Sequence, residues 1–413
     1  MATRRTLADC HVTLGVTGSI AAYKAAEIVR LLRRRGIDVR VVMTRAGARL
    51  MSPDALATLS ERPVALEMFQ DPSAPRPEID HLELGRGADL FVVAPASADI
   101  LGKVAGGIAD DLLSTALMAS PAPVLYAPAM NTRMWQHPAT QRNVERLRQD
   151  GAHFIGPDAG DLACGETGAG RMVAPEAVVD QVCKMLLARL DGLRVLITAG
   201  PTEEPLDPVR VISNRSSGVM GVRLAEAARD RGHRVTMIAG PLRCPGPLGV
   251  ECVTVATAHE MELAVQGLEA RADILIMAAA VADYRAAEVA EAKLPSKSEA
   301  LELKLVPTRD ILASIAPGRA ARGAVTVGFA LEIGEGAETR AAAKLKAKGA
   351  DMVVLNDATR SDSLFGGQTT RPTFLFGDGR IQHFETMTKQ AAADQVLEQA
   401  EELHALKVKG GSA

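Results

Sequence analysis

Three side chains in the first half of this 413-residue chain are of types that do chemistry. They are His81 behind a proline-rich loop at 72–77, Asn131 at the end of Pro-Ala-Met-Asn (128–131), and Cys164 inside the glycine-rich stretch 158–172. An imidazole exchanges protons near neutral pH, a carboxamide holds carboxylates and amides, and a thiol gives up a proton or attacks as thiolate. By itself His81 reads as a polar loop histidine. The stretch around Cys164 carries too much glycine for a packed element and reads as a flexible lid, which argues against a core role for that thiol. Cys183, on a helical pattern, and Cys252, on a strand pattern, are the candidates for plain burial.

Phosphate-binding chemistry has its own signature. Gly-Val-Thr-Gly-Ser-Ile-Ala-Ala (15–22) lacks the third glycine of a dinucleotide fingerprint, yet it places backbone N–H groups and the Ser19 hydroxyl at a helix start. Alone this is equally a tight strand-to-helix turn. A second turn of small residues with a hydroxyl, Ala-Pro-Ala-Ser-Ala (94–98), tips the reading toward a mononucleotide site. In the second half a long, polar, proline-broken connection (199–218) ends in Ser216-Ser217-Gly218 before a helical pattern, and connections of that length are usually functional. It is no P-loop, because the Gly-Lys-Ser/Thr ending is missing. Asn214 within it reads, alone, as a helix-entry cap.

The elements that must position these groups alternate in type. Apolar strands at 12–16 and 39–43 flank a helical pattern at 20–35 closed by Gly36; strands at 193–198 and 235–238 flank a helical pattern at 219–231 closed by Gly232. The segment 88–99 aligns without gaps to 272–283, each an uninterrupted apolar run ending in small residues and an acid, with a shorter relative at 350–357. Such strands between helices predict parallel sheets covered on both faces, hence an α/β protein of two doubly wound domains, 1–190 and 191–413, divided near 190–192 after a helix at 175–189. Ligands in such folds sit beyond the C-terminal strand ends, where the residues singled out above fall. The tail from 407 is polar and glycine-rich, and is expected to be mobile.

Composition removes several classes. With 47% hydrophobic residues, 3% aromatic residues and a net charge of −3, there is ample aliphatic core and no basic footprint for nucleic acid. The five scattered cysteines have neither zinc nor redox-motif spacing, so no disulfide framework and no metal-ligand set is assigned. The apolar run after Arg4-Arg5 is broken by Thr13, Gly15, Thr17 and Gly18, which makes it strand and turn and not a signal peptide. No run approaches the ~20 apolar residues of a membrane span. The expected compartment is the cytoplasm.

Taken together, Gly-Ser-Ile-Ala-Ala-Tyr-Lys (18–24), His81 before Leu82, Ala-Pro-Ala-Ser-Ala (94–98), Pro-Ala-Met-Asn (128–131) and Ala-Cys-Gly (163–165) make residues 9–185 resemble the homo-oligomeric flavin-containing cysteine decarboxylases. The resemblance implies a flavodoxin-like domain holding FMN, with Gly18, Ser19, Ile20, Ser97 and Met130 against the cofactor and its phosphate at Gly18-Ser19 and Ser97. It implies 4′-phosphopantothenoylcysteine as substrate: oxidation of the thiol end to a thioaldehyde provides the electron sink for CO₂ loss, and the enethiolate is then reduced back. His81 would be the base in the oxidation, Asn131 would hold the carboxylate and amide, and Cys164 would donate the final proton.

Residues 192–400 resemble the phosphopantothenate–cysteine ligases. The matching segments are 207–221, Ala-Ala-Ala-Val-Ala-Asp-Tyr (278–284), Lys304-Leu305 with Asp310-Ile311-Leu312, Gly328-Phe329-Ala330 and Asn356-Asp357. This implies a Rossmann-like domain that uses CTP to make an acyl-cytidylate of 4′-phosphopantothenate, from which the amine of cysteine displaces CMP. Asn214 would hold the intermediate, Asp283 and Lys293 the cytosine and phosphates, and Phe329 the pocket wall, with Mg²⁺ on the triphosphate. The family's Lys-Ile-Lys-Lys is replaced by Lys293-Leu294-Pro295-Ser296-Lys297, which leaves open whether Lys297 joins Lys293; read alone, both are solvated loop lysines. The resemblance further implies a homo-oligomer, with a trimer-based decarboxylase core and dimeric ligase domains, and partners limited to small molecules.

Two other classes compete with this reading. An inactive flavin-binding regulator would have no use for Asn131 together with Cys164. A tandem NAD(P)-dependent oxidoreductase should carry Gly-x-Gly-x-x-Gly, which neither half does. Yellow colour in the purified protein and CO₂ release separate the three.

Overall fold

The computed structural model describes residues 5–68, 81–162, 165–294, 301–357 and 369–410, which divide into two compact units, Met1–Leu190 and Asp191–Ala413. The first unit is built on strands β1 (His11–Val16), β2 (Asp38–Met43), β3 (Leu90–Ala96), β4 (Val124–Pro128) and β5 (His153–Phe154). All pair in parallel, in the order β2-β1-β3-β4-β5. That is the flavodoxin-like order, with its switch point between β1 and β3. Alternation along β3 shows why no polar residue is tolerated there: Leu90, Val92 and Ala94 enter one core cluster, and Phe91, Val93 and Ala96 enter the other.

The helix Lys24–Arg33 covers the first of these faces. Its buried residues Ala25, Ile28, Val29 and Leu32 recur at helical spacing, and each large one contributes roughly 1.5–3 kcal/mol on burial. Its first turn is tighter than the sequence pattern predicts, a 3₁₀ segment Ile20–Tyr23 that Ser19 caps. The stretch expected to be an unpacked lid is instead partly a β-hairpin: β6 (Asp158–Asp161) pairs antiparallel with β7 (Thr167–Arg171). Its glycines serve packing. A side chain on Gly168 would collide with Thr132, and one on Gly170, held at φ +139°, with the Met130 carbonyl oxygen.

The second unit is built on a larger sheet. Its strands are β8 (Arg194–Ala199), β9 (Glu203–Pro205), β10 (Val211–Ser213), β11 (Arg234–Ala239), β12 (Glu251–Thr254), β13 (Ile274–Met277), β14 (Tyr284–Ala286), β15 (Leu305–Pro307), β16 (Val325–Glu332), β17 (Met352–Asp357), β18 (Thr369–Thr370), β19 (Thr373–Phe376), β20 (Ile381–His383) and β21 (Met387–Thr388). Eight of these form one sheet in the order β12-β11-β8-β13-β16-β17-β19-β20. The six from β12 to β17 are parallel in the Rossmann order, with the reversal between β8 and β13, and β19 and β20 add on antiparallel. The connection at 199–218 holds a short hairpin, β9 with β10, where the sequence offered only proline-broken loop.

Two further expectations are corrected. The chain does not loosen at 407, because the helix Lys389–Gly410 continues through it and Lys407 is tied down, its Nζ 2.9 Å from the Ala324 carbonyl oxygen and 2.7 Å from Asp351. Cys252 is exposed, not buried, because β12 is the edge strand of the sheet, whereas Cys183 is buried. Among the described residues no helix is long and apolar enough to cross a membrane.

Candidate functional site

Each unit opens a cleft at its switch point. In the first, the ends of β1 and β3 are joined by one buried hydroxyl: Thr17 Oγ1 donates to the Pro95 carbonyl (2.7 Å) and accepts the Ser97 N–H (3.0 Å). This fixes the two following turns against each other. Ser97 Oγ accepts from Ile100 N at 3.4 Å and caps the helix Ala98–Gly106, while Ser19 Oγ accepts from Ala21 N at 3.5 Å. A side chain at Gly18 would strike Ala46, so this turn packs against that residue only with glycine here. Gly18, Ser19, Ile20, Ser97, Met130 and Asn131 all line a single cleft of about 520 Å³. That volume falls within the range of roughly 300–1,000 Å³ usual for small-molecule sites.

Asn131 is held by the hairpin described above, since Met130 N donates to Gly170 O at 3.0 Å. Its Oδ1 accepts from Met134 N at 2.8 Å and caps the short helix Thr132–Gln136, and its Nδ2 makes no hydrogen bond among the described residues. His81 begins the helix His81–Arg86, but its side chain lies outside the described structure, as does Cys164 altogether. Sequence reasoning passed over Lys24 and Arg171, which line the same cleft. Lys24 Nζ donates to the carbonyls of Met172 (2.6 Å) and Val173 (3.3 Å), and burial, with Arg171 nearby, pulls its pKa down. The signal was present: Lys24 closes the same motif as Gly18.

The second cleft, of about 540 Å³, lies at the C-terminal ends of β13 and β16. Asn214, Asp283 and Phe329 line it together with Ser216, Ser217 and Gly218, which lead into the helix Val219–Asp230. Asn214 is not the helix cap its type suggested, for Gly218 takes that position at φ +80°. Its Nδ2 instead donates to Ala280 O (3.1 Å) and Val281 O (3.2 Å), bracing the small-residue turn after β13. That turn is held from below by two threonines: Thr198 Oγ1 accepts from Ala279 N at 3.1 Å, and Thr202 Oγ1 from Ala282 N at 2.9 Å.

Lys293 is exposed and does not line this cleft, and Lys297 lies outside the described residues. The segment carrying Lys293 is anchored by Asp207, which is 2% exposed. Its carboxylate accepts from the N–H groups of Leu294 (3.0 Å), Val209 and Arg210 (2.7 Å each), and these bonds, that from Leu294 foremost, hold its pKa down. Lys344, Lys348 and Lys389 also line the cleft and were missed. Lys344 and Lys348 stand one turn apart on the helix Ala337–Lys348, an i,i+4 spacing that the sequence displays. Lys344 pairs with Glu332 at 2.6 Å and Lys348 with Asp310 at 3.2 Å. Among the described residues no group of three or more His, Cys, Asp or Glu side chains is placed to hold a metal ion.

Comparison with known proteins gives a consistent result across both units. The family described as Flavoprotein matches residues 1–187, and that described as DNA/pantothenate metabolism flavoprotein C-terminal domain matches residues 190–403. The Coenzyme A biosynthesis bifunctional protein CoaBC of Escherichia coli strain K12 is 44% identical over 378 residues, covering 90% of this chain and 92% of that protein. Its namesake in Bacillus subtilis strain 168 is 41% identical over 396 residues, covering 94% and 96%. Among solved structures, the C-terminal domain of a CoaBC protein is 35% identical, covering 51% of this chain and 95% of its own, with a TM-score of 0.44.

Proposed function

This chain belongs to the family of bifunctional coenzyme A biosynthesis proteins, and from that premise we propose that its second unit ligates 4′-phosphopantothenate to cysteine at the expense of CTP, and that its first unit decarboxylates the product with FMN to 4′-phosphopantetheine. The observation that carries the proposal is the gathering, at each unit's switch point, of residues scattered in sequence: 18–20, 97 and 130–131 in one cleft, 214, 283 and 329 in the other.

The first cleft suits FMN in volume and in lining. Backbone and hydroxyls at Gly18, Ser19 and Ser97 would take the phosphate, and the apolar side chains of Ile20 and Met130 would face the ring system. When bound, FMN supplies a reversible two-electron acceptor, which the substrate needs because its carboxylate has no adjacent carbonyl. The chain's own tasks are to orient and to move protons. Asn131, with Oδ1 committed to its cap, offers Nδ2 to the substrate carboxylate. His81 would take the proton released at the thiol end, and Cys164 would return one at the close.

In the second unit Asn214 keeps the turn at 278–283 in place around the acyl-cytidylate, Phe329 walls the nucleotide pocket, and Asp283 addresses the base. Lys293, and Lys297 if it joins, would reach the phosphates from a segment outside the cleft's lining. Mg²⁺ would arrive on the triphosphate, whose oxygens supply most of its ligands. We read the assembly as a cytoplasmic homo-oligomer, with a trimer-based decarboxylase core and dimeric ligase domains.

The test is incubation with 4′-phosphopantothenate, cysteine, CTP and Mg²⁺, followed by mass analysis. A yellow protein that yields CMP, pyrophosphate, CO₂ and 4′-phosphopantetheine is the expected result. Cys164→Ser should still release CO₂ but accumulate the unreduced product. A wild-type product profile from that variant would remove the role of Cys164, and absence of both amide formation and CO₂ would remove the function.

A further inference from the structure

The lysines lining the second cleft differ in how their charge is met. Lys344 shares the Glu332 carboxylate with Arg340, and Lys348 pairs with Asp310. Lys389 is half-buried at the head of the helix Lys389–Gly410, and no carboxylate lies within ion-pair distance of it among the described residues. Lys389 and the Ser216-Ser217-Gly218 turn line the same cleft. The Ser217 carbonyl accepts from Arg243 N (3.1 Å) and lies 3.6 Å from the Cys244 thiol; burial pushes that thiol's pKa up, and Arg223 and Lys389 oppose the rise. Burial pulls the Lys389 pKa down, the mark of a cation withdrawn from water without an anion in return.

A half-buried ammonium lining a cleft suits an anionic ligand, since in partly desolvated surroundings it attracts a phosphoryl oxygen far more strongly than a solvated one does. Backbone donors at residues 217–219 and the serine hydroxyls beside them already favour negative charge in the same cleft. We propose that Lys389 is the cation that receives a phosphoryl group of a ligase substrate, in the cleft that the Ser216-Ser217-Gly218 turn also lines. This rests on the ligase reading above. The group is either part of the nucleotide triphosphate or the phosphate of 4′-phosphopantothenate, and the two are told apart by experiment.

Steady-state kinetics of the full chain, with Lys389→Met and Lys389→Arg beside wild type, provide the test. In Lys389→Met the KM of one substrate should rise by about tenfold or more while kcat changes less than about threefold, the signature of lost binding. Lys389→Arg should restore that KM to within about threefold, because only the charge is needed. A rise confined to CTP assigns the triphosphate; a rise confined to 4′-phosphopantothenate assigns its phosphate. The melting temperature of Lys389→Met should equal or exceed that of wild type, as an unpaired half-buried charge has been removed.

Unchanged KM for both substrates, or a drop in melting temperature with no rescue by arginine, would overturn the proposal. Should Lys389→Met fail to fold, the wild-type protein still decides. Amine-directed acylation, followed by peptide mass mapping, should modify Lys389 readily and be blocked by CTP or by 4′-phosphopantothenate; no protection by either overturns the assignment. Wild-type protein that forms no amide sinks the ligase reading itself, whereas normal amide formation with an indifferent Lys389→Met sinks this inference alone.

Discussion

Asn131 and Asn214 show how one residue type is used in two ways. Asn131 caps a helix through Oδ1, and Asn214 braces a turn through Nδ2. Their places in the chain drew notice because of the motifs around them, but the division of labour within each carboxamide needs coordinates, since it depends on which backbone groups the fold brings near. Aspartate caps a helix as well as asparagine does, and alanine does not. Asn131→Asp should therefore keep its melting temperature close to that of wild type, while a carboxylate now faces the substrate carboxylate and CO₂ release falls by roughly 100-fold or more. Asn131→Ala should lose both the activity and about 1 kcal/mol of stability. Denaturation curves beside CO₂ assays check this, and an active Asn131→Asp would leave Asn131 only its cap.

Between residue and molecule, the echo of 88–99 in 272–283 has a mechanical meaning. Asp89 Oδ2 accepts the His11 N–H at 2.9 Å, and Asp273 Oδ2 accepts the Arg194 N–H at 2.8 Å, so each acid secures the start of the neighbouring strand. At the other end Thr17 takes the Ser97 N–H and Thr198 takes the Ala279 N–H. Two strands tied at both ends explain why the parallel sheets and the cleft positions were legible from the pattern. What stayed hidden were the contacts made across long sequence distance: the β6–β7 hairpin under Asn131, and the anchoring of the last helix. Glycine content argued against the first, and a polar ending against the second, because composition does not show what a segment packs upon. That last helix is pinned by Glu401, which Arg231 reaches at 2.8 and 2.9 Å and His233 at 2.5 Å. Burial would raise the Glu401 carboxyl, but these hydrogen bonds outweigh it and hold it down at about 2, against an ordinary 4.5. A carboxyl held low in the fold contributes fully above its unfolded value, and that contribution is lost as pH falls from there through the folded value. Glu401→Gln should cost on the order of 3 kcal/mol at pH 7. The gap from wild type should close between about pH 4.5 and 2. Parallel pH-dependent melts of the two proteins measure this, and a gap that persists at pH 2 would show that the pairing is not what stabilises the helix.

At the scale of the whole chain, each unit carries what a domain needs. The core clusters of the first draw on residues 7–190, and those of the second on 193–403. Each sheet is covered on both faces by helices of its own unit, and each unit has about 200 residues, a size that sustains an independent core. Severing the chain between Leu190 and Asp191 should therefore leave two folded proteins. Fragment 191–413 should form phosphopantothenoylcysteine from CTP, 4′-phosphopantothenate and cysteine without flavin, and fragment 1–190 should purify yellow and release CO₂ from that product. Mixed, they should complete the conversion, and each should melt in one cooperative transition. Aggregation of either fragment, or a melt without a sharp transition, would mean that stability is shared across the cut. Loss of one activity from a cooperatively folded fragment would mean instead that its cleft is completed by residues from the other side of position 190.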